Sequence, residues 1–473
     1  MKKVLIYGKF NILHPGHLRL IKYAKTQGSH LVIGLLNIGN TLNPDILIDL
    51  EGRTQKLQLI NDIDEILGYT DVFQLLDIVK PDYVIKGYEF SQKPNPEAKY
   101  IQKLGGQLLF MSADSSYKLS VDKKPSRLVH ANFAKDFVFR HKISNEKCSS
   151  FLDQMNTLNG LVIGDLIIDE YVDCLPIGMS HEDKNIVYET LNFKRYVGGA
   201  GIVAQHCKSL GAKVKLISLI GDDQAGQYAK NFFSEIGLSA DLFVEENRAT
   251  TVKKRYKWDG KSIFRASQIN SNLISDKLEQ KILSKITAEY ENLDFIIFSD
   301  FSYGLLRPSL IEKIVKKARL NKVIISADCQ TSSQVGNLNK YRNVDLITPT
   351  EAEARGALVD FNSGLAYLGQ TLLEKLSSDN LILTIGSEGI IMFSKNSDEL
   401  VVDRLEPLDV RTVDTSGAGD SLLAVSTLSY ALSGNIALST FLGSIAAGLH
   451  VSRLGNLPIN PLELKSAVKK IFE

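Results

Sequence analysis

Val4-Leu5-Ile6-Tyr7-Gly8-Lys9-Phe10-Asn11-Ile12-Leu13-His14-Pro15-Gly16-His17-Leu18 is the stretch whose reading decides the fold. An apolar run stops at a glycine, a short loop follows, and Pro15 then precedes apolar positions at Leu18, Ile21 and Ala24, the spacing of a helix. The order is strand, loop, helix. His14 and His17 lie three residues apart around the helix start, so both imidazoles can face one way beside backbone amides that already favour an anion. Gly16 leaves room for a phosphate. Two imidazole donors there would stabilise charge on an α-phosphate while another oxygen attacks and pyrophosphate leaves. The same residues also read as a surface histidine and a helix-capping turn. Lys2-Lys3 before the apolar run has the start of a signal peptide, but Gly8 and Lys9 end the run too early, and it reads as a first buried strand.

Working outward, short apolar runs alternate with helical patterns. Strands are expected at Lys3 to Tyr7, His30 to Leu36, Asp71 to Gln74, Asp82 to Lys86 and Gln107 to Met111, and helices at Gly16 to Thr26, Gly52 to Asn61 and Asn95 to Leu104. That alternation predicts an α/β domain with a parallel sheet covered by helices on both faces. Lys118, Lys123, Lys124, Pro125 and Arg127 break the pattern, and the composition stays polar until Leu161-Val162-Ile163. The organisation expected is a first domain over 1–130, a linker over 131–158 and a second α/β domain over 159–473. In the second, Thr251 to Trp258, Asp259-Gly260 and Ser262 to Ala266 form a hairpin signal, expected to project as a lid or edge. Further strands are expected at Leu293 to Ser299, Lys322 to Ala327, Leu346 to Thr348 and Asn380 to Ile385. Ligands of open α/β sheets bind at the loops following such strands.

The 473 residues exceed what one core serves, and a formal net charge of +1 supplies no global field for nucleic acid or an anionic membrane. Cys148, Cys174, Cys207 and Cys329 form no CxxC pair, which points away from a zinc site or disulfide framework and toward a reducing cytoplasm. Ser421 to Ser452 is rich in small and apolar residues, but Ser433-Gly434-Asn435 divides it, and two buried helices are expected in place of a span.

Residues 8 to 18 resemble the HxGH signature of the cytidylyltransferase-like nucleotidyltransferases, and the resemblance covers about the first 120 residues. Lys80-Pro81-Asp82-Tyr83-Val84-Ile85-Lys86-Gly87 is similar to a segment of the adenylyltransferase domain in the bifunctional heptose-phosphate kinase and adenylyltransferase family, with Arg53 at that family's helix-opening arginine. The resemblance implies a Rossmann-like domain in which His14 and His17 are catalytic and Gly8, Lys9, Phe10, Lys86 and Ser115 bind the nucleotide, ATP or CTP. Ser115-Ser116 corresponds to a nucleotide-binding serine and threonine pair. Lys86 equally reads as a solvated strand-end lysine. The commoner GTFD or GxFD lead-in is Gly8-Lys9-Phe10-Asn11 here, so that at Asn11 an amide replaces a carboxylate and brings hydrogen bonds but no charge. Substrate preference is open there.

Near the other end, Asp414-Thr415-Ser416-Gly417-Ala418-Gly419-Asp420 precedes Leu422-Leu423-Ala424-Val425. Small residues at a helix start let the amides of Gly417, Ala418 and Gly419 converge on a phosphoryl group, and Asp420 can accept a proton from a sugar hydroxyl. The alternative is close helix packing with Asp420 as a cap. This half resembles the PfkB or ribokinase-like carbohydrate kinases through Gly164-Asp165 with Asp169, Gly198-Gly199-Ala200-Gly201, Ser299-Asp300 with Tyr303-Gly304, Thr348-Pro349-Thr350-Glu351-Ala352-Glu353, and Thr384-Ile385-Gly386-Ser387-Glu388-Gly389. It implies a ribokinase-like fold with a β lid, a sugar pocket lined by Asp165, Asp169, Gly198, Gly199 and Gly201, hydrated Mg2+ positioned by Glu353, ATP approached by Thr384, Gly386 and Gly389, and a homodimer through the lid. Singly, each residue also reads as a turn, a cap or a solvated side chain. Ile202 and Thr350 stand where asparagines are usual, which leaves the sugar open.

Together the two halves are expected to form a bifunctional enzyme of nucleotide-sugar synthesis. One centre phosphorylates a sugar or sugar phosphate with ATP, and the other transfers a nucleotidyl group to a sugar 1-phosphate. In the heptose family the kinase comes first in the chain and a separate phosphatase acts between the two steps; the order here is reversed. The alternative is a sugar kinase whose N-terminal domain is a non-catalytic nucleotide sensor. Partners are sugar phosphates and nucleoside triphosphates, with no nucleic acid and no membrane.

Overall fold

The computed structural model describes residues 2–37, 48–112, 127–182, 185–287, 289–396, 399–408 and 412–473. The chain divides into two compact units, one of 1–133, 350–375 and 383–406, the other of 134–349, 376–382 and 407–473.

The first unit is built on β1 (Lys3–Gly8), α1 (Pro15–Gln27), β2 (His30–Leu36), α2 (Leu50–Gln58), β3 (Glu65–Tyr69), α3 (Val72–Val79), β4 (Tyr83–Gly87), α4 (Ala98–Lys103) and β5 (Gln107–Met111). The strands pair in the order β3-β2-β1-β4-β5, all parallel. Alternate residues of the central strand face opposite ways: Val4 and Ile6 join Ile21, Ala24 and Ile33 in one core, while Leu5 joins Val32, Leu76 and Val84 in the other. Both faces are covered, as the alternation of apolar runs requires.

One expected strand is corrected. Residues 71–74 do not extend; they open helix α3, because the Asp71 carboxylate caps the Phe73 amide at 3.0 Å and Leu75, Leu76 and Val79 follow at helical spacing on a buried face. The strand next to β2 at one edge of the sheet is β3, which the sequence pattern had not marked.

Residues 127–157 carry α5 (Arg127–Arg140), α6 (Asn145–Gln154) and a short 3-10 turn. The second unit continues with β6 (Asn159–Gly164), β7 (Leu166–Met179), β8 (Ile186–Gly199), α7 (Ala200–Ser209), β9 (Lys213–Ile220), α8 (Gln224–Glu235), β10 (Ser239–Val244), β11 (Val252–Trp258), β12 (Lys261–Gln268), α9 (Asp276–Thr287), β13 (Phe295–Asp300), α10 (Pro308–Leu320), β14 (Ile324–Cys329) and β15 (Leu346–Ile347). After α11 (Glu351–Leu358) and α12 (Leu365–Leu376) comes β16 (Asn380–Thr384), then the antiparallel hairpin β17 (Ile390–Asn396) and β18 (Glu399–Leu405). Helices α13 (Ala418–Ser433), α14 (Ile436–Val451) and α15 (Pro461–Phe472) close the chain.

Parallel strands of the second unit run in the order β10-β9-β6-β13-β14-β15-β16. A separate sheet, β12-β11-β7-β8, carries the hairpin expected from Asp259-Gly260, both of which take positive φ (49° and 72°) as a two-residue hairpin turn requires. Buried helices α13 and α14 meet at Gly443, where a β-carbon would lie 2.1 Å from the Ser426 hydroxyl. Among the described residues no helix is long and apolar enough to cross a membrane.

Candidate functional site

In the second unit the glycine-rich segment ends a loop and starts α13. Gly417 is the residue before the helix, at φ 84°, so Ala418 and Gly419 contribute amides of the first turn and Asp420 lies on that turn as well. The Asp420 carboxyl is buried at 4% exposure and accepts a hydrogen bond of 2.9 Å from the Gln330 side-chain amide, just beyond β14. Burial, and secondarily the charge of Asp169, push its pKa up to about 7, against the opposing pull of Gln330 and Lys253. A carboxyl poised there can take a proton near neutral pH.

Asp169, buried on β7, is gripped from two sides: Arg255 of β11 pairs with one oxygen, and the Asn456 amide donates to the other at 3.0 Å. Gly198 exists because of that pair, since a β-carbon would meet the Asp169 carboxylate at 2.5 Å and the Asn456 amide at 2.8 Å. Gly199 turns the chain into α7 at φ 59°, with its missing β-carbon 2.2 Å from the Asp165 carbonyl. Gly201 lies deeper, against Val197 and Leu166. Asp165 accepts the backbone amides of Phe301 and Tyr303 at 2.8 and 3.1 Å; burial and the nearby Asp300 still raise its pKa to about 6. Asp300 itself is met by Lys340 at 2.6 Å and the Tyr341 hydroxyl at 2.9 Å. The structure therefore brings Asp165, Asp169, Gly198, Gly199 and Asp420 into one acidic region lined by the lid cation Arg255.

The first unit holds the other motif. His14 is the cap residue of α1 and Pro15 its first helical residue, so the chain turns from extended to helical between them. The His17 amide donates to the His14 carbonyl at 2.8 Å, and the two rings stack with centroids 3.9 Å apart. Phe10, at φ 43°, sets its ring 5.0 Å from His17 and covers Gly8, whose β-carbon would lie 3.6 Å away. Burial drives the His17 pKa down to about 4, with Arg404 adding to the fall and the Ile12 carbonyl resisting it. His14 falls well below its ordinary value through burial, its neighbour His17 and the cations Arg404 and Arg19. Both rings are neutral at pH 7, each carrying one N–H, and each has a buried Nδ1 that no polar group meets.

Arg53 turns inward and donates to the Lys9 and Leu36 carbonyls at 2.5 and 3.1 Å, holding the loop after β1. The Asn11 side-chain oxygen accepts the Ile48 amide at 3.3 Å. Lys86, from the end of β4, pairs with buried Glu97 and donates to Asn95 at 2.8 Å, while Tyr7 donates to Glu97 at 2.6 Å. Its charge is already matched within this domain. Arg19, on the buried face of α1, clamps both oxygens of Glu351 at 3.0 and 3.1 Å and reaches Glu388 at 2.8 Å. Arg404 donates to the Leu13 carbonyl, one residue before His14, at 3.1 Å.

The same unit contains the segments from the kinase-like half. Glu353 completes a capping box with Thr350, whose amide and hydroxyl both donate to it at 2.8 Å. Thr384 ends β16, and Gly386 and Gly389 take φ of 57° and 94° around a short 3-10 turn. Ser115 and Ser116 fall outside the described residues. No group of three or more His, Cys, Asp or Glu side chains arranged to hold a metal occurs among the described residues. Sequence reading did not reach Gln330, Arg255, Asn456, Arg19 or Arg404. Arg255 alone had a local signal, the lid hairpin; the others are distant in the chain from the groups they hold.

Residues 159–461 match the pfkB family of carbohydrate kinases, and residues 5–151 match the cytidylyltransferase-like family. Similar proteins include the Bifunctional protein HldE of Trichlorobacter lovleyi, 30% identical over 326 residues (67% of this chain, 64% of that protein), and that of Pelobacter propionicus, 29% identical over 332 residues (69% and 66%). The chain thus spans just under two thirds of the length of these relatives. Among solved structures, Escherichia coli phosphofructokinase-2 with fructose-6-phosphate aligns over 67% of this chain and 99% of its own at TM-score 0.53 and 12% identity. Arabidopsis thaliana ribokinase with ribose and ATP aligns over 67% and 99% at TM-score 0.51 and 15% identity, a likeness of fold.

Proposed function

The chain belongs to the pfkB family of carbohydrate kinases, and from that premise we propose a bifunctional enzyme of nucleotide-sugar synthesis. The observation that carries the reading is Asp420, a buried carboxyl raised toward neutrality on the first turn of α13, beside the amides of Gly417 to Gly419. In the kinase reaction a sugar hydroxyl attacks the γ-phosphorus of ATP, the bond to the β,γ-bridging oxygen breaks, ADP leaves, and Asp420 takes the hydroxyl proton. The glycine amides receive the charge on the transferring group. Asp165, Asp169, Gly198 and Gly199 line the sugar side, with Gly201 letting α7 pack close beneath them, and Thr384, Gly386 and Gly389 serve the nucleotide. Bound Mg2+ would neutralise phosphate charge; Glu353, its carboxylate fixed by the capping box, would reach the ion through water.

At the other centre an oxygen of a sugar 1-phosphate attacks the α-phosphorus of ATP or CTP, and pyrophosphate leaves. Neutral His14 and His17 donate to the charge that develops, with Gly8, Lys9, Phe10, Lys86 and Ser115 around the nucleotide. The resemblance to the bifunctional heptose-phosphate family supports a heptose 7-phosphate as the sugar of the kinase reaction. A second reading, a nucleotide sensor in place of a transferase, is favoured by the stacking of the two imidazoles and by the pairing of Lys86 with Glu97. Pyrophosphate exchange into each NTP separates the two: exchange lost in His17→Ala excludes the sensor. Incubating the chain with sugar 7-phosphates and 1-phosphates plus each NTP, and weighing the products, identifies both substrates.

The lid supports a homodimer. Leu175, Ile177 and Met179 alternate along β7 with 44%, 60% and 60% exposure, a solvent-facing apolar row that a second copy would cover. Light scattering should give twice the chain mass, reduced to one chain in Ile177→Glu. The four buried thiols accord with a cytoplasmic setting.

A further inference from the structure

His450 is a buried imidazole on the last turn of α14, and the reaction proposed above assigns it no part. Its Nε2 lies 2.9 Å from the carbonyl oxygen of Ser416. A carbonyl only accepts, so that nitrogen carries the proton and donates. Burial holds the His450 pKa below its ordinary value, against the Ser416 carbonyl and the charge of Asp414, while Arg453 pushes it lower still. The ring is neutral at pH 7, and its other nitrogen, Nδ1, is buried with no polar partner, as a ring with one N–H committed to Ser416 would leave it.

The next bond in the chain gives this contact its meaning. The Ser416–Gly417 peptide is trans, so its C=O and N–H point in opposite directions. Anchoring the Ser416 oxygen to His450 turns the Gly417 N–H away from α14. The amide on the other side of Ser416 is fixed too, donating to Asp414 at 3.0 Å, and Asp414 is held by the Tyr171 hydroxyl at 3.1 Å. Only glycine fits at 417, because a β-carbon there would meet His450 Nε2 at 2.6 Å and the Asn456 oxygen at 2.7 Å. The peptide is clamped between a donor behind it and a fixed loop before it.

We propose that His450 is a positioning residue for phosphoryl transfer: by holding the Ser416 carbonyl it aims the Gly417 N–H at the transferring phosphoryl group. The inference rests on the kinase reading. It predicts a loss in kcat with the sugar KM unchanged, because the aimed amide matters most as charge develops in the transition state. An oxyanion-hole donor removed outright costs about 10²–10³-fold in kcat, and a donor left present but unaimed is expected to cost about tenfold or more.

The test compares His450→Gln, which keeps a side-chain N–H at a similar reach, with His450→Met, of similar length and without a donor. Expected are kcat within about threefold of wild type for H450Q and at least about tenfold down for H450M, both at unchanged sugar KM. Equal kcat in the two variants, or a fall in stability with kcat preserved in H450M, overturns the inference while Asp420-dependent turnover leaves the kinase reading standing. Absence of Asp420-dependent turnover in the wild-type chain overturns the kinase reading and the inference with it. Independently of any variant's folding, 15N-histidine NMR of the wild type should show His450 as the Nε2–H tautomer at pH 7; the Nδ1–H tautomer would overturn the inference.

Discussion

The Asp420 and His14/His17 centres both sit at helix starts, yet burial acts on them in opposite senses. At Asp420 it raises a carboxyl to about 7, making a stronger base whose ionised form is still reached near neutral pH. At His14 and His17 it removes the charged form, leaving two neutral rings with single N–H donors. In the proposed reactions, the same desolvation would prepare one centre to move a proton and the other to donate hydrogen bonds without carrying charge. Supporting groups differ as well: Asp420 is met by the neutral amide of Gln330, whereas α1 is tied down by the cation Arg19.

Replacing the base should have the largest effect. Asp420→Asn is expected to lower ATP-dependent sugar phosphorylation by about 10²–10⁴-fold, measured as ADP release, with pyrophosphate exchange intact. His17→Ala should lower exchange by about 10²–10³-fold and leave ADP release alone. Loss of both activities in either variant would break the separation of the two centres.

The pH dependence sharpens it. A base of pKa about 7 predicts kinase kcat falling about tenfold per pH unit below that value. Stability runs the other way. Between the ordinary carboxylate pKa and about 7 the folded state keeps a proton that the unfolded chain has lost, so raising the pH through that window destabilises the fold. Thermal unfolding should therefore show Asp420→Asn more stable than wild type at pH 8, with the advantage vanishing near pH 4. The smallest effect is expected at Lys86. Lys86→Met leaves Glu97 buried with Tyr7 as its remaining side-chain donor and should cost about 2 kcal/mol, read by urea denaturation. A raised KM for the nucleotide without loss of stability would instead place Lys86 at the phosphates.

The broad layout was legible because buried parallel strands are continuous apolar runs and helix starts carry glycine and proline. Asp259-Gly260 gave its hairpin for the same local reason. Reading failed at 71–74, where Val72 and Phe73 have strand propensity but an aspartate cap and the buried Leu75, Leu76 and Val79 made a helix. The motif residues Asp420, His14 and His17 could be named from the sequence; what holds them could not. Gln330 stands 90 positions from Asp420, and Asn456 stands 287 from Asp169. Such partners are joined only by the packing of strands and helices, and no local spacing announces them.

The central claim is that Asp420 works as a base tuned by burial, and the kcat–pH profile of ATP-dependent sugar phosphorylation tests it most directly. Expected are a rise with pH that levels off near 7 in the wild type and a small, pH-independent residual rate in Asp420→Asn. A wild-type profile that is flat from pH 5 to 8, or one whose rise persists in Asp420→Asn, would contradict it.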